Sequence, residues 1–179
     1  MKYNKTWSQD LYLKAIRFAG EAHGEQKIPG TDLPYVIHIT SVCMEIMAAV
    51  CIGETDNPDL AVQCALLHDT IEDAGKTFDE IKMIFGIDVA HGVLALTKNK
   101  NIEKKYRMAD SIERIKLQPR EIWMVKLADR ITNLQPPPPH WNSEKIKDYR
   151  KEAEYIFEHL REASPFLKDR LAEKIKTYG

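Results

Sequence analysis

Cysteine is scarce in this chain, three in 179 residues, odd in number and without CxxC spacing. That usage argues against a disulfide framework and against a cysteine-based metal site. Cys43, Cys51 and Cys64 fall on apolar helix positions and read as reduced core residues of a cytosolic protein. Charge of either sign is not in excess. A net charge of −1 excludes non-specific attachment to nucleic acid or to an anionic membrane. Long hydrophobic runs are missing too: the most apolar stretches are broken by charge within roughly a dozen residues, short of the ~20 a membrane span needs. The start, MKYNKTWSQD, lacks the apolar segment of a secretory signal, so a cytoplasmic location is expected. No run shows strand alternation with hairpin turns, and no internal repeat or low-complexity tail is visible. What remains is an all-α chain, a compact irregular helical bundle forming one domain over 1–179, with 44% hydrophobic residues to build its core.

Punctuation places the helices. Ser8 opens one carrying Leu11, Ala15, Phe18, Ala19 and Ala22 at core spacing. A polar loop from Gly24 to Pro34 precedes a helix expected at 41–51, with Thr40 or Ser41 as its cap. A further helix starts near Pro58. Thr77 and Glu80 make a capping-box pattern for a helix to Phe85, and Asp88 is the expected cap of the next, to Leu96. Helices at 102–117 and 120–134 follow, the second with Pro119 at its start. Four prolines at 136–139 end it. Ser143 opens a long helix to Glu162, and Ser164-Pro165 begins the last.

The run ALLHDTIED at 65–73 stands out. The stretch before it is apolar on almost every side, as a buried helix is, and ionisable groups at the end of such a helix are costly unless their charge is compensated. At ~100° per residue, His68, Glu72, Asp69 and Asp73 fall in one sector, with Ala61 and Ala65 leaving room beside them. Two more ligand candidates lie elsewhere. His38 follows LPYVI, where Pro34 forces an extended approach. Asp129 sits in the apolar helix MVKLADRITNL, sharing a face with Lys126 and Asn133; Arg130 is the ordinary ion-pair partner expected for such an acid. Together His38, His68, Asp69 and Asp129 supply two imidazoles and two carboxylates, a set suited to Mn²⁺, Fe²⁺ or Zn²⁺ with positions left for water and substrate.

In this order, H…HD…D, the chain resembles the HD metal-dependent phosphohydrolases. In detail it resembles the RelA/SpoT-type alarmone hydrolases, in particular the single-domain small alarmone hydrolases that include metazoan SpoT homologues. The resemblance is carried by AGEAHGEQK (19–27), PYVIH (34–38), ALLHDTIED (65–73), FGIDVAHGVLALTK (85–98) and VKLADRITNL (125–134). It implies one Mn²⁺ held by His38, His68, Asp69 and Asp129, with Glu72 and Asp73 orienting and deprotonating the attacking water. It further implies removal of the 3′-pyrophosphate from guanosine 3′,5′-polyphosphates (ppGpp, pppGpp), giving pyrophosphate and GDP or GTP. Only His91 lies between the HD pair and the last Asp, which favours a mononuclear site.

For the substrate, Asn133 matches the family's nucleoside-contacting Asn. Lys98 and Lys104, in a cluster with Lys100 and Lys105, stand near the place where the family binds the 5′-phosphates. His23 matches the AH segment and is expected to make a structural hydrogen bond. The loop GEQKIPGTDLPY departs from the pattern: Lys27 remains where the family has an Arg/Lys pair, followed by Ile28 and Pro29. A guanidinium stacks on a purine better than an ammonium does, so adenosine alarmones stay open beside guanosine ones. A generic HD nucleotide phosphohydrolase and a non-catalytic nucleotide-binding module remain as readings from other classes. The expected partner in each case is a small nucleotide, not nucleic acid or a membrane.

Overall fold

A computed structural model describes residues 7–179. Among them regular structure is helical throughout, apart from an isolated bridge between Lys27 and Pro34, and no helix is long and apolar enough to cross a membrane.

The organising element is α3 (Pro58–Leu67). Asn57 caps it through its side chain and Pro58 supplies a first turn that needs no N–H. Of its residues only Asp59 is not fully buried. A helix apolar all round must be surrounded, and it is: α1 (Gln9–His23), α2 (Val36–Cys51), α6 (Ile87–Leu96) and α8 (Arg120–Asn133) pack on it. Asp59 joins α1 to α3 by accepting the Ser8 N–H at 2.6 Å. Each fully buried Leu here, such as Leu66 and Leu67, contributes about 1.5–3 kcal/mol relative to exposure. At Gly92 on α6 a Cβ would lie 2.5 Å from Ile122 Cδ1 and 2.8 Å from Cys64 Sγ. Only a glycine lets α6 approach α3 and α8 this closely.

The remaining elements are α4 (Thr70–Asp73), α5 (Phe78–Phe85), α7 (Arg107–Lys116), α9 (Ser143–Leu160) and α10 (Pro165–Thr177). The Thr77/Glu80 capping box forms at α5. Three glutamates, Glu121 and Glu45 buried and Glu54 half-buried, tie loops and helices together. Glu121 accepts from Thr55 Oγ1 and from the Asp56 and Asn57 N–H groups at 2.8–3.0 Å. Glu54 accepts from Ser164 Oγ and the Phe166 N–H. Glu45 on α2 is gripped by the Arg170 guanidinium of α10.

Several boundaries differ from expectation. α2 begins at Val36, so His38 lies inside it, and Thr40 and Ser41 bond back to the carbonyls of Val36 and Ile37 instead of capping. The helix through the HD pair is not continuous. It breaks at His68–Asp69, with Asp69 at φ −100°, ψ 0° before the short α4. Asp88 lies in the first turn of α6, whose cap is Gly86. Residues 104–106 are a single 3₁₀ turn and α7 starts only at Arg107. α9 ends at Leu160, followed by another 3₁₀ turn. Cys43 and Cys64 are buried, but Cys51, the last residue of α2, is exposed.

Candidate active site

Three separate elements meet at one point. His38 comes from α2, His68 and Asp69 from the break between α3 and α4, and Asp129 from α8. His38 Nε2 lies 3.3 Å from His68 Nε2 and 3.6 Å from both Asp69 Oδ2 and Asp129 Oδ1. His68 Nε2 lies 2.9 Å from Asp69 Oδ2 and 3.8 Å from Asp129 Oδ1. His38, His68 and Asp129 are buried, and Asp69 nearly so.

Hydrogen bonds to neighbouring side chains and backbone hold this cluster in place. His68 Nδ1 is 2.8 Å from the Ala65 carbonyl, which assigns its proton to Nδ1 and turns the Nε2 lone pair inward. Tyr35 O–H donates to Asp69 Oδ2 at 2.5 Å. Behind it the His23 ring stacks at 4.7 Å and is itself held by Gln26 at 2.9 Å. Lys126 Nζ donates to Asp129 Oδ2 at 2.9 Å, and the Asn133 amide donates to Oδ1. What is left in the middle is the Nε2 atoms of two imidazoles facing Asp69 Oδ2 and Asp129 Oδ1. So many buried acceptors around one point call for a proton or a cation among them. The electrostatics agree: burial works against a charged His68, yet Asp69 and then Asp129 outweigh it and push its pKa up to about 9. Asp129 is held well below the usual carboxylate range, because Lys126 and His68 overcome its burial. A divalent ion in place of that proton fits the close group of His38, His68 and Asp69, with Asp129 Oδ1 lying beside the two imidazoles.

Beside the cluster is a narrow cavity of about 150 Å³ whose wall includes Tyr35, Glu72, Asp73, Lys98, Arg130 and Asn133. At ~30 Å³ per water it has room for a phosphoryl group and a few waters, not for a nucleoside. A second, wider cavity of about 680 Å³ is lined by Lys104, Arg107, Asn142, Lys145 and Asp148. The two share Lys98, Tyr149 and Glu152. Glu72 and Asp73 differ in their engagement. Glu72 accepts from the Lys98 N–H at 2.8 Å and from Lys98 Nζ at 3.2 Å. Asp73 is exposed on the rim, and partial burial together with the nearby Asp69 and Glu72 raises its pKa.

Two sequence expectations change. Lys27 pairs with Asp32 at 2.7 Å on an exposed loop and lines neither cavity, because the loop carries its own acid within reach. Arg130 does not neutralise Asp129. It reaches across to Glu152 on α9, and Lys126, one turn earlier on α8, takes Asp129. The sequence reading also passes over α9 as a contributor. Lys145, Asp148, Tyr149 and Glu152 recur at helical spacing and form one wall, a signal that was present but silent without the neighbouring helix.

Fold and cluster together define a class, and comparison agrees: residues 15–165 match the family model described as HD domain, so this chain belongs to the HD-domain family. The family implies a divalent metal, and the His/Asp cluster fits one. Within the family it is similar to a Xenopus tropicalis protein named guanosine-3′,5′-bis(diphosphate) 3′-pyrophosphohydrolase MESH1. The two are 33% identical over 175 residues, 94% of this chain and 95% of that one. An Aquifex aeolicus protein named guanosine-3′,5′-bis(diphosphate) 3′-pyrophosphohydrolase is 36% identical over 152 residues, 82% of this chain but 20% of that one. Among solved structures, one described with the words "A metazoan ortholog of SpoT hydrolyzes ppGpp and plays a role in starvation responses" superposes with a TM-score of 0.84 at 28% identity. It covers 98% of this chain and 99% of that one.

Proposed function

We propose that this chain hydrolyses the 3′-pyrophosphate of guanosine 3′,5′-polyphosphates, releasing pyrophosphate and GDP or GTP. The observation that carries the proposal is the close group of His38, His68 and Asp69, with Asp129 within 3.8 Å of both imidazoles, beside the carboxylates Glu72 and Asp73. Those four residues would hold one Mn²⁺. When bound, the ion supplies a Lewis acid for a phosphate oxygen and lowers the pKa of a coordinated water.

The chain's own residues do the rest. Asp73, free of protein partners among the described residues and raised in pKa, takes the proton of the attacking water. Glu72, fixed by Lys98, orients that water and holds the Lys98 segment against the site. The water oxygen bonds to the phosphorus attached to the ribose 3′ oxygen, and the phosphorus bond to that oxygen breaks. The 3′ oxygen leaves as a hydroxyl with a proton taken from solvent, and Asp73 returns its proton to solvent. The narrow cavity accepts the reacting phosphoryl group, and the nucleoside with its 5′-phosphates lies in the wide one. There Lys98 and Lys104, with Arg107 and Lys145, face the 5′-phosphates. Asn133, which lines the narrow cavity, holds Asp129 through its amide and keeps its carbonyl oxygen for the ribose end of the reacting phosphate.

On this reading the chain is one catalytic domain acting on a small nucleotide in the cytoplasm. Lys27, ion-paired with Asp32, supports a second reading for the base alone, adenosine alarmones beside guanosine ones. The test is a panel: purified protein with Mn²⁺, guanosine and adenosine 3′-pyrophosphates beside simple nucleotides, and products separated by chromatography. Pyrophosphate release confined to 3′-pyrophosphorylated substrates supports the proposal. Equal turnover of nucleoside monophosphates points instead to a generic phosphohydrolase.

A further inference from the structure

Arg130 is an oddly placed cation. It is 4% exposed on α8, next to a proposed metal ligand, and its guanidinium is only partly used. Nη2 donates to Glu152, and the group lies 4.6 Å from the centre of the Tyr149 ring. Nε and Nη1 are buried with no hydrogen-bond partner among the described residues. Buried donors are almost always satisfied, and a guanidinium presents its N–H groups in a fork matched to carboxylate and phosphate oxygens. Arg130, Tyr149 and Glu152 all line the narrow cavity that also holds His68, Asp69 and Asp129.

We propose that Arg130 is an anion-binding residue of this cavity, that its unpartnered N–H groups bind the pyrophosphate moiety of the substrate and of the released product, and that Glu152 is a placeholder carboxylate which competes for the same guanidinium. Three features support this. The cavity that Arg130 lines is too small for a nucleoside but admits phosphate oxygens. Glu152 lies on the boundary between the two cavities and is half-buried, so it has solvent to move into when an anion replaces it. The guanidinium lies over the Tyr149 ring, 4.6 Å from its centre, which holds it at a wall the two cavities share. The inference deepens the reading above by assigning the group that recognises the pyrophosphate, and it rests on that reading for the identity of the substrate.

The probe is inorganic pyrophosphate, titrated calorimetrically into the Mn²⁺-loaded protein and, separately, into metal-free protein. Arg130→Gln should weaken binding about tenfold or more in both, with metal stoichiometry retained, and Arg130→Lys should weaken it less. Glu152→Gln leaves the buried Arg130 in place and removes only its competitor's charge. It should tighten binding several-fold, and it keeps the test decisive if Arg130→Gln fails to fold. Unchanged affinity in folded Arg130→Gln, unchanged or weaker affinity in Glu152→Gln, or no pyrophosphate binding by the wild type overturns the proposal. Wild-type turnover of nucleotide 3′-pyrophosphates is measured alongside. Arg130-dependent binding without any turnover overturns the substrate reading and leaves the anion site standing; turnover with Arg130-independent binding does the reverse.

Discussion

Two groups of acids, buried or half-buried, are treated in opposite ways in this molecule. Glu121, Glu54 and Glu45 are each wrapped in donors: backbone N–H groups, hydroxyls or the Arg170 fork. Asp69 and Asp129 take few donors, Tyr35 on the one and Lys126 and Asn133 on the other. Asp69 Oδ2 and Asp129 Oδ1 also face the Nε2 atoms of two imidazoles. A buried charge whose oxygens are filled by the protein is part of the scaffold, and one whose remaining partners are lone pairs of the same kind is a site waiting for a cation. The difference lies in what surrounds the residue, since carboxylates in both groups lie on or beside apolar helices.

Substitutions test this contrast directly. The largest effect is expected from His68→Ala or Asp69→Ala. Each removes a donor from the inward set, so bound Mn²⁺ and activity should disappear together, a loss beyond the roughly 100-fold that removing an outer partner of a ligand costs. Elemental analysis of desalted, Mn²⁺-loaded protein is the check; stoichiometric metal in either variant would falsify the assignment.

Next is the pair Glu72→Gln with Asp73→Asn, which spares the four proposed ligands. Turnover should fall by about 10²–10⁴-fold while metal stoichiometry holds, and Asp73→Asn alone should account for most of the loss. A double variant that loses its metal makes these residues ligands, and one that turns over at the wild-type rate rules out their proposed role.

Tyr35→Phe deletes only the tyrosine's hydrogen bond to Asp69 Oδ2. Metal affinity should drop by roughly 10- to 100-fold, read by competition with a chelating dye. No change would mean that the tyrosine is packing alone.

The smallest effect on function is expected in the scaffold group. Glu121→Gln should lower stability by about 1–3 kcal/mol and leave metal stoichiometry untouched. The carboxylate's pKa is lowered in the folded protein: burial opposes this, but the N–H and O–H donors around it outweigh burial. Its stabilisation is therefore present above the unfolded value of about 4.3 and is lost as pH falls through the folded value. Melting temperatures of wild type and variant, both metal-free, should differ at pH 7 and converge toward pH 3. A gap that widens in acid contradicts the sign.

Local chemistry determined much of this protein. Apolar periodicity, Pro58, the Thr77/Glu80 box and Ser164-Pro165 specify helices through interactions within a turn or two, and their positions follow from the chain alone. The HDTIED run advertised a site because charge at the end of an all-apolar helix conflicts with local expectation. Tertiary structure decided everything that depends on distance across the fold. Helical projection placed His68, Asp69, Glu72 and Asp73 in one sector, yet the backbone breaks at Asp69, and the cavity unites them only because α2, α8 and the Lys98 segment close around that break. Arg130 and Asp129 are neighbours in sequence that bond to different elements, and the wall formed by α9 has no local signature that names its partner. A sequence states which side chains need compensation. Which group compensates them is fixed only when helices remote in the chain are packed, since Coulomb and hydrogen-bond energies depend on ångström separations that no periodicity encodes.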